Sequence, residues 1–215
     1  MRRLPLAIVL LLSATEAGAQ IRRGRIVQPD PVAWVSGGAA LTQPFTVVDG
    51  TTGSRWAFGD GTQYSVSLEK QLNEGATIGL RATTAKVPLS YRGSTVTGSA
   101  VTTDADANVS QGFVTVHVAS GRAFHSVFEL SAGATVFSNF RARGTGDKLM
   151  PSSADTDFTF ALGYGVGYNF SPRFAIDVVR DLTTVRHQST GLGAGESSSN
   201  RIHGTRFVAR LGLGG

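Results

Sequence analysis

The sequence contains no cysteine, and beyond its first twenty residues it has no long apolar run. The absence of cysteine excludes a disulfide scaffold, a thiolate metal site and a cysteine nucleophile. A membrane-spanning helix needs about 20 consecutive apolar residues, so none is expected in the body of the chain. The 27 glycines among 215 residues lie inside apolar segments as well as in turns, without a collagen period. This distribution indicates a folded chain and not a disordered linker.

The first 19 residues have the three parts of a secretory signal peptide. Arg2 and Arg3 come first, an apolar run over 4–12 follows, and the segment ends in Ala17-Gly18-Ala19. This A-x-A exit predicts cleavage between Ala19 and Gln20. We therefore expect an exported protein.

Export divides the chain into a signal peptide (1–19), a short N-terminal tail (20–31) and one domain (32–215). The net charge is +5 and the pI is 10.1, but the arginines are dispersed and not clustered. A nucleic-acid partner is therefore not expected for this exported chain.

From residue 32 onward, hydrophobic residues alternate with polar or small ones, which is the period of a β-strand. The segment 158–170 is the clearest, with aromatic or aliphatic residues at every second position. Its 13 residues are many for a strand of a soluble domain and fit a tilted strand that crosses a bilayer. The same pattern predicts eight strands, at 34–41, 63–70, 76–86, 109–119, 124–141, 157–170, 173–186 and 203–213.

The connections between these strands alternate in length. The short ones span 71–75, 120–123 and 171–172. The long ones span 42–62, 87–108, 142–156 and 187–202. Outer-membrane barrels have short periplasmic turns and longer extracellular loops. The predicted fold is therefore all-β, an eight-stranded antiparallel up-and-down transmembrane β-barrel, with a soluble barrel or sandwich as the alternative.

The two faces of the strands differ in chemistry. The apolar face is expected to meet lipid and carries Val66, Leu68, Ile78, Leu80, Ala82, Val114, Val116, Val118, Phe128, Leu130, Ala132, Ala134, Val136, Ile176, Val178, Phe207, Ala209 and Leu211. The opposite face, lining a narrow interior, carries the titratable residues Glu69, Arg81, His117, Glu129, Asp177, Arg206 and Arg210. Because buried charges must be paired, we expect a salt-bridge network that fills the lumen. An ion gate made of the same residues is the alternative.

Arg180 departs from this pattern. The alternation that directs Ile176 and Val178 outward also directs Arg180 toward lipid, where a central arginine costs about 2–4 kcal/mol. Either a bulge at Val178-Val179 changes the register, or Arg180 lies close enough to the interface to snorkel.

Two stretches carry a family resemblance. They read FHSVFELSAGATVFSNF from Phe124 and FTFALGYGVGYNFSPRFAIDVV from Phe158. Their alternation of glycine and aromatic residues, and the N-F-S-P-R turn before a strand, resemble the small eight-stranded outer-membrane β-barrel proteins of Gram-negative bacteria, the OmpA-like and OmpX-like barrels. The resemblance implies an outer-membrane location, assembly by the outer-membrane insertion machinery, and a role in envelope integrity, adhesion or host interaction. The end of the chain, Leu211 to Gly215, lacks the terminal aromatic residue usual in that family.

Motifs for catalysis or cofactor binding are weak. His187 and Ser189 share one side of a strand end, where Glu196 can orient the histidine, as in some lipid A deacylases. Residues 104–108 match only the first half of a calcium loop, and an exposed acidic loop tip is the simpler interpretation. The glycine-rich stretch 163–167 lies within a strand and leads to no helix. We therefore expect no catalytic residue, no cofactor and no metal site, with His187 and Ser189 as a weak alternative.

The predicted function is a structural or surface-interaction role, in envelope integrity or adhesion, for a barrel whose filled lumen is not a porin. The alternatives are a narrow channel or small hydrophobic-solute transporter and, more weakly, a membrane-embedded lipid A-modifying hydrolase. Expected partners of this monomer are outer-membrane lipid and lipopolysaccharide, the insertion machinery, and an extracellular protein or surface ligand at the long loops. Partial alternation through 87–108 predicts strands that project as an exposed β edge, suited to strand addition by a partner.

Overall fold

The computed structural model describes residues 30–94, 101–188, 191–194 and 199–214. The predicted signal peptide, its cleavage site at Ala19 and Gln20, and the tail up to residue 29 lie outside these residues. Ten strands form: β1 (Ala33–Thr42), β2 (Phe45–Val48), β3 (Arg55–Phe58), β4 (Gly61–Asn73), β5 (Ala76–Arg92), β6 (Thr102–Gly121), β7 (Phe124–Ala142), β8 (Asp155–Ser171), β9 (Phe174–Arg186) and β10 (Ser199–Leu213). Within the described residues no helix is long and apolar enough to span a membrane.

Eight of the strands close into a ring. The ring consists of β1 and β4 to β10, and each of these strands pairs antiparallel with both of its neighbours. β1 lies between β4 and β10, and the pairing of β5 with β6 completes the circle. The prediction of an all-β, eight-stranded antiparallel barrel is confirmed. Most strands extend beyond their predicted bounds, β6 by seven residues at its start, from 109 to 102.

Short and long connections fall on opposite ends of the ring, as predicted. The turns β4–β5, β6–β7 and β8–β9 hold two residues each, at 74–75, 122–123 and 172–173. We call this the short-turn end. Opposite it, at the long-loop end, the connections run over 43–60, 93–101, 143–154 and 187–198.

A short hairpin inside the first long connection is absent from the sequence prediction. Strands β2 and β3 pair with each other, and β3 then pairs with the end of β5, placing Trp56 opposite Tyr91 and Phe58 opposite Leu89. The predicted exposed edge over 87–108 is therefore wrong. The end of β5 lies between β3 and β6, because its backbone finds partners on both sides.

A bulge in β7 changes which residues face inward. Asp106 pairs with Arg141 and Asn108 with Ser138, so two residues of β7, Asn139 and Phe140, oppose the single Ala107. Asn139 adopts a φ of 57°, a left-handed conformation that asparagine tolerates better than most residues. As a result Phe137 and Phe140, three apart in sequence, are both buried inside the ring.

The outer wall is apolar around its middle. The predicted lipid-facing residues lie on the outer face, with Leu80 65% exposed, Val66 62%, Leu130 56% and Phe207 54%. Aliphatic and aromatic side chains exposed around a whole ring are costly in water and are typical of a surface that meets lipid.

Arg180 lies on this outer wall without a change of register. The β8–β9 pairing is continuous from Phe158 and Arg186 to Asn169 and Ala175, which excludes the bulge at 178–179. Its guanidinium reaches toward the long-loop end, where Nη1 donates to Thr205 (3.0 Å) and Nη2 to Gln43 (3.0 Å). This is the snorkelling arrangement.

The chemistry of the two faces inverts along β5, β6 and β7. In β5 the inward residues are first Arg81 and Thr83 and then Val87 and Leu89, while the outward residues change from Leu80 to Lys86. The interior is therefore polar where the wall is apolar and apolar where the wall is polar. We call the apolar-filled part, formed by β2, β3 and residues 85–92, 102–109 and 137–142, the upper section. The inversion marks where the barrel leaves lipid and enters water, because the face buried away from water must be apolar.

Candidate functional site

The interior of the ring holds all seven of the titratable residues that the alternation directs inward. Each side chain is buried: Glu69, Arg81, His117, Glu129, Asp177, Arg206 and Arg210 are 1–6% exposed. Every second residue of a strand faces the same way, so six strands bring these seven side chains into one small volume.

Glu129 is the centre of the network. Its Oε2 accepts a hydrogen bond from Arg81 Nη1 (2.6 Å) and another from Arg206 Nη2. Arg206 also donates to Asp181, with Nε 2.9 Å from Oδ2 and Nη2 3.2 Å from Oδ1. Because these residues come from β5, β7, β9 and β10, the network ties together strands from opposite sides of the ring.

A second group lies nearer the short-turn end. Arg210 Nη2 donates to Glu69 Oε2 (2.6 Å), and its guanidinium carbon lies 5.0 Å from the ring centre of Trp34. The other amino group, Nη1, is 2.7 Å from His117 Nε2. His125 Nε2 lies 2.9 Å from Asp177 Oδ1, and Gly167 makes room for this pair, since a Cβ on Gly167 would collide with both side chains.

The hydrogen bonds of His117 fix its tautomer. A guanidinium can only donate, so His117 Nε2 must be the acceptor for Arg210 Nη1. The ring proton is therefore on Nδ1, which donates to Glu129 Oε1 over 3.1 Å. His117 thus connects the Glu129 group with the Arg210 group.

Two members of the network are not among the sequence-predicted residues. Asp181 and His125 face inward at the same parity as Asp177 and Glu129, so the alternation could have found both. With Asp181 included, this network holds four carboxylates, on Glu69, Glu129, Asp177 and Asp181, against three guanidinium groups.

The interior is open at the short-turn end and almost closed in its middle. A cavity of about 690 Å³ opens at the short-turn end and reaches His117, His125 and Arg210. Beyond it, the space between Arg81 and Arg206 is only about 20 Å³, room for roughly one water.

The upper section closes the interior a second time. Phe58 is 1% exposed and stacks on Phe45, with ring centres 4.5 Å apart, while Phe137 lies 5.6 Å away and is fully buried. Trp56 Nε1 donates to the Met150 carbonyl (2.8 Å), which ties the hairpin to the loop after β7.

Polar contacts hold the rim of the upper section. Arg143 donates twice to Asp106 Oδ1, from Nη2 (2.6 Å) and Nε (2.9 Å), and Lys86 Nζ lies 3.2 Å from Oδ2. Arg143 foremost, with Lys86, lowers the pKa of Asp106, and the same contact raises the pKa of Arg143. Burial of Asp49 in the β2–β3 turn opposes its ionisation, but hydrogen bonds from Thr52 and Thr51 outweigh burial and lower the pKa of Asp49.

No protein-family model matches the chain, and no curated protein matches it. Among solved structures, Neisserial surface protein A aligns over 86% of this chain and 100% of its own, with a TM-score of 0.54 and 13% sequence identity. This chain has the fold of a small outer-membrane β-barrel.

Other barrels align with lower TM-scores. Outer membrane protein AlkL covers 88% of this chain and 92% of its own, with a TM-score of 0.46 and 12% identity. Ail, the attachment invasion locus protein of Yersinia pestis, covers 86% and 99%, with a TM-score of 0.42 and 14% identity.

In this outer-membrane β-barrel fold, His187 follows β9 and points inward. Its side chain is completely buried, and Nδ1 lies 2.6 Å from Asp157 Oδ2. The carboxylate that orients the histidine is therefore Asp157 of β8. The other members of the weak hydrolase hypothesis, Ser189 and Glu196, lie outside the described residues.

Residues 104–108 are not a loop in this barrel. They lie within β6, paired with residues of β5 from Lys86 to Ser90, so both the calcium-loop and the loop-tip interpretations are wrong. Asp104 and Asp106 alternate with the buried Ala105 and Ala107, and this outward placement leads to the Arg143 contact described above.

Proposed function

We propose that the protein is an outer-membrane barrel with a closed lumen, whose role is structural and whose upper section presents a folded surface to the cell exterior. Two obstructions of the interior support this proposal. The ion pairs of Glu129 with Arg81 and Arg206 close its middle, and the packed rings of Phe45, Phe58 and Phe137 close the upper section. A porin keeps a continuous aqueous path, and the described residues of this barrel leave about 20 Å³ between Arg81 and Arg206.

Lipid and lipopolysaccharide around the apolar wall are the proposed surroundings, with the insertion machinery acting during assembly. Arg180 and Lys86 flank an external groove of about 940 Å³ that also contains Leu41, Tyr64 and Phe207. Cationic groups beside apolar side chains suit anionic lipid headgroups with their acyl chains below. An extracellular protein or surface ligand at the upper section is the further partner proposed for this monomer.

The location is tested by cell fractionation combined with heat-modifiable gel mobility. We expect the protein in the outer-membrane fraction, with a folded band that migrates differently from the boiled one, because a closed barrel resists detergent at room temperature. A periplasm-soluble protein without a mobility shift would contradict the membrane assignment. The sequence predicts that the mature chain begins at Gln20, and mass spectrometry of the same fraction checks this.

The closed lumen is tested by conductance. The refolded barrel, verified by its mobility shift, is expected to give no discrete single-channel events in planar bilayers, because ion passage requires rearrangement of buried ion pairs. The double variant Arg81→Ala/Phe58→Ala serves as the comparison. It should remove one obstructing side chain from the Glu129 network and one from the upper section. Discrete conductance of the unmodified barrel would overturn the proposal and favour the narrow-channel alternative.

A further inference from the structure

A cluster of metal-ligating side chains lies above the Glu129 network. Asp155 and Asp157 stand at the start of β8, and the β8–β9 register, in which Phe158 pairs with Arg186, brings Asp157 opposite His187. One oxygen or nitrogen atom from each of these three side chains lies within 4.8 Å of the others.

The charge of this cluster is unbalanced. The side chains of Asp157 and His187 are completely buried. Among the described residues, no arginine or lysine forms an ion pair with Asp155 or Asp157. Two carboxylates therefore face one imidazole, which supplies at most one positive charge. Buried charges are stable only when paired or bound to a metal.

Backbone groups hold the carboxylates in place. Gln188 N donates to Asp157 Oδ1 (3.0 Å), and Leu192 N donates to Asp155 Oδ2 (2.6 Å). Gly191 permits the close approach of Asp155, because a Cβ there would lie 2.5 Å from Oδ2. Gln188, Gly191 and Leu192 thus lie around the two acids, as the outer shell of a metal site orients its ligands.

Of the two ring nitrogens of His187, only Nδ1 has a hydrogen-bond partner among the described residues. Its ring centre lies 5.8 Å from that of Phe137, and Nε2 is buried without a hydrogen-bond partner among the described residues. A buried ring nitrogen without a partner is costly and uncommon in proteins. The side chain of His187 is completely buried, and its hydrogen bond among the described residues is the one from the ring to this cluster.

We propose that Asp155, Asp157 and His187 bind a divalent metal ion of the zinc class, which pins the loop after β9 to the start of β8. Carboxylate oxygen and imidazole nitrogen are the ligands that zinc accepts alongside thiolate. The ion would take the place of the proton between His187 Nδ1 and Asp157 Oδ2. The ring would keep a proton on Nε2 and bind as a neutral imidazole, and the displaced proton would leave to solvent. The proposal rests on the cluster alone and is independent of the proposed function.

The test uses the untagged mature chain, refolded in detergent and stripped of metal with a chelator, because a polyhistidine tag would itself bind zinc. Zinc chloride is added, excess metal is removed, and bound zinc per chain is measured by mass spectrometry. We expect one ion per chain and a higher temperature for loss of the folded gel band. Cobalt in place of zinc should give visible absorption bands of a low-symmetry site.

Variants locate the ion. Asp157→Asn should weaken zinc binding at least ~100-fold, which is more than the loss expected when an outer-shell partner is removed. Asp155→Asn, at a half-buried position, should have the same effect and serves as the test if Asp157→Asn fails to fold. The matched control is Asp177→Asn, which breaks the other buried Asp–His pair, with His125, where no third ligand is present among the described residues. Its zinc content should be unchanged. An unmodified barrel that binds no zinc, or binding by Asp155→Asn and Asp157→Asn as tight as that of the unmodified barrel, would overturn the proposal.

Discussion

Glutamine in place of Glu129 is expected to destabilise the folded barrel by about 3–5 kcal/mol, the cost of leaving a buried charge unpaired. Arg81 and Arg206 both donate to Glu129 Oε2. Arg206 keeps its two hydrogen bonds to Asp181 in the variant, but Arg81 keeps only Ser131 at 3.2 Å and the face of Phe113. The stability loss is therefore assigned mainly to Arg81, 6% exposed and without a counter-charge.

A second substitution tests this assignment. Arg81→Met removes the stranded charge and keeps an unbranched side chain beside Phe113, so in the Glu129→Gln background it should restore part of the lost stability. Urea unfolding and refolding in lipid vesicles, followed by tryptophan fluorescence and the folded gel band, gives the free energies. Asp106→Asn, which breaks an ion pair at the exposed rim, is the control and should change stability by less than ~1 kcal/mol. Equal losses in the Glu129 single variant and the double variant would refute the role of Arg81.

The strands and the interior residues could be predicted because one physical rule governs both. Period two fixes which residues share a face, and in a membrane barrel the face that carries charges such as Arg81 and Arg210 is expected to be the inward one. Asp181 obeys the same rule. It was missed because the outward Arg180 beside it left the register of β9 open, and the continuous β8–β9 pairing resolves it.

The upper section could not be predicted from the same rule. Strands β2 and β3 have four residues each, which is only two periods of alternation. The bulge at Asn139 shifts the parity of Phe140, so the sequence pattern directs it outward. Above the apolar wall the barrel is surrounded by water and not by lipid. Val87 and Leu89 therefore face inward to avoid water, whereas Arg81 faces inward to avoid lipid.

The pairing of His187 with Asp157 depends on tertiary structure in another way. The two residues lie 30 positions apart, and their contact follows only once the register of β8 against β9 is known. The sequence pointed to Ser189 and Glu196 as the companions of His187 because they are close in the chain. Register, and not proximity in sequence, selects the carboxylate.

Alanine in place of Phe58 is expected to release the β2–β3 hairpin while the ring stays folded. Phe58 stacks on Phe45 and packs on Phe137 and Phe140, and removing a buried phenylalanine costs about 3–5 kcal/mol. The hairpin's other main contacts are the buried side chains of Val47 and Trp56, with the Trp56 hydrogen bond to Met150. Its pairing with the ring is four residues long, and an isolated two-stranded hairpin is marginal in water. Local opening therefore requires much less free energy than unfolding of the ring.

The readout separates the hairpin from the ring. The chain has two tryptophans, so Trp34→Phe leaves Trp56 as the reporter of the hairpin, and its emission should shift to the red in Phe58→Ala. Trypsin should then cleave after Arg55 in intact vesicles, while the folded gel band of the ring persists. Val48→Ala, at an exposed position of the same hairpin (47%), should leave both signals unchanged. Loss of the folded band together with the hairpin would show instead that the upper section and the ring unfold as one cooperative unit, and that the apolar interior above the wall stabilises the whole barrel.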